Sequence, residues 1–362
     1  MDTTRAAARS QKLAQALGAA GIAHLVVYGN AWTCDYLRYA TDFAVLEGHA
    51  VAVVTGGAVC LYLESESEVR RAQAEVPALQ VMWLPDFHTG VRAALAALPG
   101  SVGYAPRAYM PHGVMQGLAQ ATDFTPAFVQ LMMIKLPEEI AAVRRATALA
   151  DEGYEAFRHA VREGRPEYEV IADMERFFRS RGCPDNFMIM ASGGQEVRAM
   201  HPPSQRILQK GDLVTTELTP CVNGYYAQIC RTLVIGAPST AQQQAFDVHL
   251  QALEAGLAMV RPGVTAGEVT RAENDVFRAH GLAQYVSSEY TRVRGHGLGL
   301  YVDSPPAFVE EDTTPLQPDM TVIVHPNGYH PLSGYLVLGD MVVVREGGYE
   351  RMTQTPRQLF SV

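Results

Sequence analysis

The sequence has no long apolar run, no cluster of basic residues and few cysteines. The longest apolar stretches, such as those from His24 to Tyr28 and from Val51 to Val54, are far too short to span a bilayer, which excludes a membrane protein. The N-terminus lacks a compact apolar segment with a cleavage site, so we predict no signal peptide. The five cysteines show no paired spacing, which indicates a reducing compartment and excludes a secreted disulfide scaffold; they are Cys34, Cys60, Cys183, Cys221 and Cys230.

Acidic side chains outnumber basic ones, with 38 Asp plus Glu against 29 Lys plus Arg and a formal net charge of −9. Because nucleic-acid binding depends on a stripe of Lys and Arg that displaces counterions, this balance argues against a nucleic-acid partner. The apolar fraction of 48% is typical of a globular protein with a substantial core, and the length of 362 residues predicts two domains. We therefore expect a cytoplasmic protein whose partner is a small molecule.

The first third of the chain alternates helix and strand patterns, and we predict a domain over residues 1–133. A helix is expected from Arg5 to Ala20, followed by a strand from Ile22 to Tyr28. Two β-branched strands from Ala50 to Thr55 and from Ala58 to Leu63 flank Gly56-Gly57, which predicts a hairpin. The remaining predicted elements are a strand at 79–84, a helix at 91–98 and a strand at 101–104.

A second α/β domain is predicted over residues 134–362. Leu136-Pro137-Glu138-Glu139 marks the start of a long helix, because proline suits the first helical position and acidic residues suit the first turn. Further helices are predicted at 167–181, 240–260 and 266–280. Strands are predicted at 185–191, 213–219, 225–235, 320–325 and 341–345.

Four of the eleven histidines lie in segments of this second domain that are marked by glycine or proline. They are His201, His296, His325 and His330. A histidine at the end of an apolar strand, followed by a turn, projects its ring where rigid scaffolds often place active sites. Any one of them alone is more commonly a structural histidine, but four such segments in one domain favour a site.

The motifs of the second domain resemble those of the prolidase, aminopeptidase P and creatinase superfamily. They are Ser192-Gly193-Gly194, His201-Pro202-Pro203, Lys210-Gly211-Asp212, the stretch from Gly224 to Thr232, Gly295-His296-Gly297-Leu298-Gly299, Pro305-Pro306 and the stretch from Leu316 to Met320. The resemblance runs from about Lys135 to Thr353, and the segment from Asp35 to Phe43 also looks like the smaller domain of that group. It implies a creatinase-like N-terminal α/β domain, a "pita-bread" catalytic domain and a homodimer.

Peptidases of this superfamily hold two metal ions with two Asp, one His and two Glu, and two of these carboxylates bridge the ions. Carried over in order, the resemblance places these ligands at Glu217, Gln228, His296, His325, and either Gly339 or Leu338. Two divalent ions so close together need bridging anions to offset their repulsion. Because both bridging carboxylates are missing, we predict that no dinuclear metal centre is present and that no cofactor is bound.

The favoured hypothesis is a metal-free hydrolase of the creatinase kind, which cleaves a C–N bond in a small substrate. Such a reaction needs a base near neutral pKa to activate water and an acid to protonate the departing nitrogen. We predict that His201, His296 and His325 supply these roles and that Glu217 orients an imidazole or pairs with the substrate. The residues predicted to contact the substrate are Gln228, Tyr226, His330 and Arg231.

Two alternatives remain open. Glu217, His296 and His325 are a carboxylate and two imidazoles, the ligand set of many mononuclear metal sites. In the second alternative, the chain is a non-catalytic relative that binds a small molecule or serves as a partner subunit. The lost positions became mostly polar residues, and His201 and His296 were kept, which favours altered chemistry over lost chemistry.

Overall fold

The computed structural model describes residues 3–362, with side chains from residue 5 onward. The chain divides into two compact units, of which one ends at Met132 and the other extends from Met133 to Val362. Among the described residues, no helix is both long and apolar enough to cross a membrane. The five cysteines are all unpaired thiols.

The first unit is a six-stranded sheet with six helices in its described part. Its elements are, in chain order, α1 (Thr3–Ala19), β1 (His24–Asn30), α2 (Asp35–Thr41), β2 (His49–Thr55), β3 (Ala58–Leu63), α3 (Glu66–Glu75), β4 (Gln80–Trp83), α4 (Phe87–Ala96), β5 (Val102–Ala105), α5 (His112–Met115), β6 (Thr122–Asp123) and α6 (Thr125–Met133). The strand order is β4-β3-β2-β1-β5-β6, in which β1, β2 and β3 are antiparallel. The hairpin predicted at Gly56-Gly57 is confirmed.

Helices α2, α3, α5 and α6 were not predicted from the sequence. Helix α3 shows why, because only Glu68 and Ala72 of its ten residues are buried. A helix with so small a buried face carries almost no apolar periodicity, which is the signal that reveals helices in a sequence.

The second unit begins with two helices, and two more follow later in the chain. They are α7 (Pro137–Ala160), α8 (Glu167–Arg179), α9 (Thr240–Met259) and α10 (Ala266–Ala279). The predicted start of α7 is confirmed, since Pro137 is its first residue and the Glu139 carboxylate accepts a hydrogen bond from Leu136 N at 2.7 Å. At α9 and α10 the capping is reciprocal, because Ser239 and Thr265 accept from the backbone N–H groups of Gln242 and Glu268, whose side chains accept from theirs.

The strands of the second unit form two five-stranded sheets and a short hairpin. They are β7 (Asn186–Gly193), β8 (Leu213–Val222), β9 (Tyr225–Tyr226), β10 (Ile229–Val234), β11 (Gly295–Gly297), β12 (Ser304–Ala307), β13 (Thr321–Val324), β14 (Gly328–His330), β15 (Gly334–Leu336), β16 (Asp340–Arg345), β17 (Gly348–Arg351) and β18 (Phe360–Ser361). One sheet has the order β18-β10-β8-β7 with β9 paired to β8, and the other has the order β12-β11-β13-β16-β17. An isolated bridge between Cys230 and Gly339 links the two sheets.

The single strand predicted at 225–235 is wrong in one respect, because the structure interrupts it between Tyr226 and Ile229. Ala227 lies opposite Pro220 of β8 and donates its N–H to the Pro220 carbonyl at 3.2 Å. Proline has no N–H to return the second hydrogen bond of the ladder. The ladder therefore breaks at this point, which leaves Gln228 between two short strands.

Alternation along β8 and β10 decides which side chains are available for chemistry. Val214 and Leu218 of β8, like Ile229 and Leu233 of β10, lie in the apolar core that also contains residues of α7 and α8. Successive side chains of a strand point to opposite faces. Glu217 and Cys230, which are cross-strand neighbours, therefore face away from these helices.

Candidate active site

The Glu217 carboxylate is the centre of a buried polar cluster. It is only 8% exposed, and its Oε1 accepts a hydrogen bond from Asn327 Nδ2 at 2.6 Å. Burial raises the pKa of Glu217 to about 7, and the hydrogen bonds with Cys230 and Asn327 offset this effect only in part. A carboxyl group of this kind can give or take a proton near neutral pH, as a general acid or base must.

Gln228 and Cys230 extend the same cluster along the chain. Gln228 is buried, and its Nε2 donates to Cys230 Sγ at 3.4 Å. Asn327 Nδ2 lies 3.9 Å from the same sulfur. Burial, followed by the charge of Glu217, raises the pKa of the Cys230 thiol well above its ordinary value, which keeps it protonated and makes it a poor nucleophile.

The imidazoles of His296 and His325 face each other beside this cluster. Their ring centroids are 5.4 Å apart with an interplanar angle of 69°. His296 Nδ1 lies 3.0 Å from the carbonyl of Gly297, and because a carbonyl only accepts, Nδ1 carries the proton and Nε2 is the basic nitrogen. His325 Nδ1 is buried and has no hydrogen-bond partner among residues 3–362.

Both imidazoles are neutral at physiological pH. Burial lowers the pKa of His296, an effect that the carboxylate of Asp303 opposes. Burial also lowers the pKa of His325 well below its ordinary value, and the neighbouring His296 adds to the decrease. Neutral imidazoles are the form that can accept a proton from water.

Gly339 occupies the place at which these groups meet. A Cβ atom built on Gly339 would lie 2.6 Å from His325 Cβ and 3.3 Å from Cys230 Cβ. Leu338 is buried and only its backbone N–H reaches the cluster, as a donor to Asn327 Oδ1 at 3.1 Å. Of the two positions that the sequence left open for the second glutamate, Gly339 is therefore the one that faces the site.

The residues of this site do not fit the dinuclear metal centre of the resemblance. Gln228 is neutral, Gly339 has no side chain, and a carboxylate at 339 would collide with His325. Across residues 3–362, no group of three or more His, Cys, Asp or Glu side chains is arranged to hold a metal ion. The alternative of one ion bound by Glu217, His296 and His325 stays a prediction, although these three side chains do not form such a group in the described part of the chain.

His201 lies outside the buried cluster. Its ring is exposed, its Nδ1 lies 2.7 Å from the carbonyl of Pro202, and its backbone N–H donates to Met190. Its loop is anchored by Ser204, which donates from both N and Oγ to the buried carboxylate of Glu167. The structure thus presents His201 on a tethered loop and not in the wall formed by His296 and His325.

Three of the predicted substrate contacts have partners within the protein. Arg231 is completely buried and donates to Asp340 Oδ1 at 2.8 Å and to backbone carbonyls, so its guanidinium is committed. Tyr226 packs against the apolar core and donates its hydroxyl to Asp185 at 2.6 Å. His330 is buried, accepts from Leu332 N at 3.1 Å and contacts the ring of His249 on α9. Gln228 alone of the four lies in the cluster.

One polar residue of the cluster, Asn327, was not predicted from the sequence. It is 1% exposed and contacts Glu217, Cys230 and Leu338. Its place two residues after His325, in the segment His325-Pro326-Asn327-Gly328, was the available signal. Asn is common in turns, however, and nothing in its type distinguishes a turn former from a group of the site.

The glycine before His296 shows how the local sequence builds this wall. Gly295 has a φ of +146°, and a Cβ on it would lie 2.9 Å from a carbon of the Phe308 ring. Only glycine adopts this backbone conformation readily, so the chain approaches β12 and β13 closely and turns His296 inward.

Comparisons with known proteins agree with this architecture. Residues 9–144 match the creatinase/prolidase N-terminal domain, and residues 141–346, more than half of the chain, match metallopeptidase family M24. The chain is 30% identical to the probable dipeptidase PepE of Mycobacterium tuberculosis over 98% of this chain and 96% of that protein. It is 26% identical to the Xaa-Pro dipeptidase of Pyrococcus horikoshii over 85% of this chain and 87% of that one.

Among solved structures, dipeptidase PepE from Mycobacterium ulcerans is similar over 100% of this chain and 99% of that chain, with a TM-score of 0.84 and 28% identity. The mixed α/β fold, with a creatinase-like N-terminal domain before a pita-bread domain, is thereby confirmed. The family matched is one of hydrolases, although the described site lacks the donors of a dinuclear centre. The chain belongs to metallopeptidase family M24.

Proposed function

We propose that this chain is a metal-independent hydrolase that cleaves a C–N bond in a small substrate. The observation that carries the proposal is the relation between Gly339 and His325. A carboxylate cannot be placed at 339 while His325 occupies its present position, because their Cβ atoms would be 2.6 Å apart. With Gln228 neutral, Glu217 is the one carboxylate among the ligand positions carried over from the resemblance.

The proposed reaction needs one base and one acid. A neutral imidazole takes a proton from water, whose oxygen then bonds to the carbon, and an acid gives a proton to the nitrogen as the C–N bond breaks. His296, through its Nε2, and His325 are the proposed bases, because burial keeps both rings neutral. His325, whose pKa is lowered further, is the weaker base of the two. Glu217, with a pKa of about 7, is the proposed acid in its protonated form.

His201 remains a proposed fourth member of the site. Its exposed ring uses Nδ1 within its own loop, so Nε2 is the nitrogen that a substrate would meet. The loop that carries it is anchored through Ser204 to Glu167, and this anchor limits how far the ring moves. Gln228 is proposed to form a hydrogen bond with the polar end of the substrate, as a donor or as an acceptor.

Two classes of small substrate follow from the family and the site. The relatives named Xaa-Pro dipeptidase and dipeptidase make X–Pro and other dipeptides the first class. N-carbamoyl compounds form the second class, because two imidazoles and the neutral Gln228 suit a neutral C–N group. Amidino compounds are assayed beside them, although the missing carboxylates at positions 228 and 339 leave a cationic guanidinium with fewer counter-ions.

The test combines metal analysis with activity. Purified protein is dialysed against a chelator, analysed by elemental mass spectrometry, and assayed against both substrate classes with and without added Mn²⁺, Co²⁺ or Zn²⁺. We expect activity that survives chelation and does not increase with metal. Glu217→Gln is the control for contaminating enzymes, because activity that belongs to this chain must fall in that variant.

Each other result has a defined meaning. Activity that chelation abolishes and a metal ion restores would overturn the metal-independent mechanism. Protein that hydrolyses neither class, with or without metal, yet binds a member of one class in calorimetry would favour the non-catalytic alternative. A preference between X–Pro dipeptides and amidino compounds would name the substrate class.

A further inference from the structure

Asn327 contacts more members of the buried cluster than any acid or base in it. Its Nδ2 donates to Glu217 Oε1 at 2.6 Å and lies 3.9 Å from Cys230 Sγ. Its Oδ1 accepts from Leu338 N at 3.1 Å. We propose that Asn327 is the positioning residue that holds the Glu217 carboxylate in its working orientation, a role that rests on the proposed function.

The orientation of the Asn327 amide is determined by its partners. The Leu338 N–H group can only donate, so the atom of Asn327 that faces it must be Oδ1. The atom facing Glu217 is then Nδ2, which can only donate. Asn327 therefore offers Glu217 a donor and nothing else, and this hydrogen bond fixes the position of Oε1.

The backbone of Asn327 is held as firmly as its side chain. Its carbonyl accepts a hydrogen bond from the buried guanidinium of Arg294, and its N–H donates to the His325 carbonyl at 2.7 Å. Arg294 is itself held by Asn274, whose Oδ1 accepts from Arg294 Nε at 2.7 Å. A reacting group is positioned well when the residues that support it are locked by packing and hydrogen bonds of their own.

The position of Asn327 in the chain separates this role from that of an ordinary turn residue. Glu217 lies 110 residues away in the sequence, on β8, whereas Leu338 and His325 belong to the segment around β13 to β16. Asn327 thus fixes the one acidic group of the site relative to the segment that carries His325. A turn-forming asparagine would need only its local bonds.

The test is a cycle of two nearly isosteric substitutions. Asn327→Asp keeps the acceptor for Leu338 N–H but places an oxygen against Glu217, so the two carboxyls either repel each other or must hold a proton between them. Glu217→Gln keeps an acceptor for Asn327. In the double variant Asn327→Asp/Glu217→Gln, the glutamine amide donates to the new aspartate, and the hydrogen bond is restored with its direction reversed.

Thermal unfolding is measured at pH 8 for the four proteins. We expect Asn327→Asp to lower Tm by roughly 3 °C or more, because a buried hydrogen bond is lost. The double variant should recover most of this decrease. Additive shifts, with no recovery in the double variant, would overturn the assignment of Asn327 to Glu217, whether or not the chain proves to be an enzyme.

Activity supplies the readout that a purely structural role would not change. With the substrate found for the wild type, Asn327→Asp should lower kcat on the order of tenfold to a hundredfold while KM changes little, since misplacing a reacting group acts mainly on the chemical step. The double variant should be no slower than Glu217→Gln alone, because Asn327 acts through Glu217.

Asn186→Asp is the matched control. Asn186, on β7, accepts with its Oδ1 from Thr219 N of β8 at 3.1 Å and donates from its Nδ2 to Glu175 Oε1 at 3.3 Å, which is the same bonding pattern but away from the cluster. We expect its kcat to equal that of the wild type. A wild type that needs metal would defeat the proposed function, whereas a metal-free wild type with an unchanged Asn327→Asp kcat would defeat this inference.

Discussion

Two buried carboxylates of the second unit, Glu217 and Asp340, differ in their pKa values and in their roles. Asp340 follows Gly339 in the chain and is fully buried, whereas Glu217 is 8% exposed. Asp340 is surrounded by guanidinium groups and Glu217 by an amide and a thiol. The two carboxylates lie on different sheets, and the groups that surround each one separate stability from chemistry.

Asp340 has a complete set of counter-ions. Its Oδ1 lies 2.8 Å from Arg231, and its Oδ2 lies 2.7 Å from Arg351 and 2.6 Å from Arg357. Burial by itself would raise the pKa of Asp340, but the three guanidinium groups outweigh it and hold that pKa below its usual value. This carboxylate stays ionised and does not take part in proton transfer.

Glu217 has no cation within ion-pair distance among residues 3–362. Its hydrogen-bond partners there are Asn327 and Cys230, so burial dominates and its pKa lies at about 7. Groups whose pKa values are displaced towards neutrality are those that acid–base catalysis requires. The cluster around Asp340 therefore belongs to the framework, and the cluster around Glu217 belongs to the site.

The largest effect is expected at Glu217. Glu217→Gln removes the proposed acid while keeping an acceptor for Asn327, so kcat should fall on the order of 10²- to 10⁴-fold. Stability should not decrease at pH 8, because the buried ionisable group is gone. Steady-state kinetics and thermal unfolding check both parts, and unchanged kcat would place the acid elsewhere.

Asp340→Asn should give the opposite result, with a large loss of stability. Removing one partner of a buried ion pair leaves uncompensated charge, here on Arg231, Arg351 and Arg357, and we expect a loss of about 3–5 kcal/mol in the free energy of unfolding. Denaturant unfolding measures this loss. If Asp340→Asn proved less harmful to stability than Glu217→Gln, the division into framework and site would be wrong.

The two carboxyls should also make stability depend on pH in opposite directions. Glu217 has a folded pKa of about 7 against an ordinary value of 4.5, so stability present below pH 4.5 is lost as the pH rises through 7, by about 3 kcal/mol. Asp340 has a lowered pKa, so its contribution is present above its ordinary value of 3.8 and lost as the pH falls through its folded pKa. Unfolding measured from pH 3 to 8 in wild type, Glu217→Gln and Asp340→Asn separates them.

His201→Ala tests whether the exposed loop histidine joins the buried site during the reaction. We expect kcat to fall by at least about a hundredfold with the fold intact, because general acid–base catalysis carries the reaction when no Lewis acid assists. Circular dichroism confirms the fold. Activity within about threefold of wild type would leave catalysis to Glu217, His296 and His325.

The smallest effect is expected at a surface ion pair. Arg144 and Glu350 lie 2.5 Å apart, and their side chains are 41% and 42% exposed. Water screens such a pair, so Arg144→Ala should cost no more than about 1 kcal/mol of unfolding free energy. Denaturant unfolding measures it beside Asp340→Asn, and an equal loss in both would mean that burial does not control the strength of these pairs.

Much of the fold follows from local patterns in the sequence. Residue periodicity predicted most helices and strands, the Gly56-Gly57 hairpin and the start of α7 at Pro137, because these features depend on neighbours a few positions away. Helix α3 was not predicted, because it buries too few residues to leave a local apolar pattern. Motif order was enough to indicate the family, which the comparisons confirm.

The composition of the site was predictable only where motif positions could be counted. Such counting identified Glu217, Gln228, His296 and His325. The role of Arg231 required the structure, because a motif position does not show which face of its strand a side chain occupies. Arg231 and Asp340 lie 109 residues apart in the sequence, and only their contact shows that this arginine is committed to the framework.

The bonds among the site residues were beyond the reach of sequence reasoning. Asn327 and Glu217 are 110 residues apart, and their 2.6 Å hydrogen bond depends on how β8, β13 and the segment before β16 come together. The choice between Leu338 and Gly339 depends likewise on the position of the His325 Cβ atom. Local patterns specify elements because backbone geometry is periodic, whereas the pKa of Glu217 and its partner arise from distant segments that meet only in the folded chain.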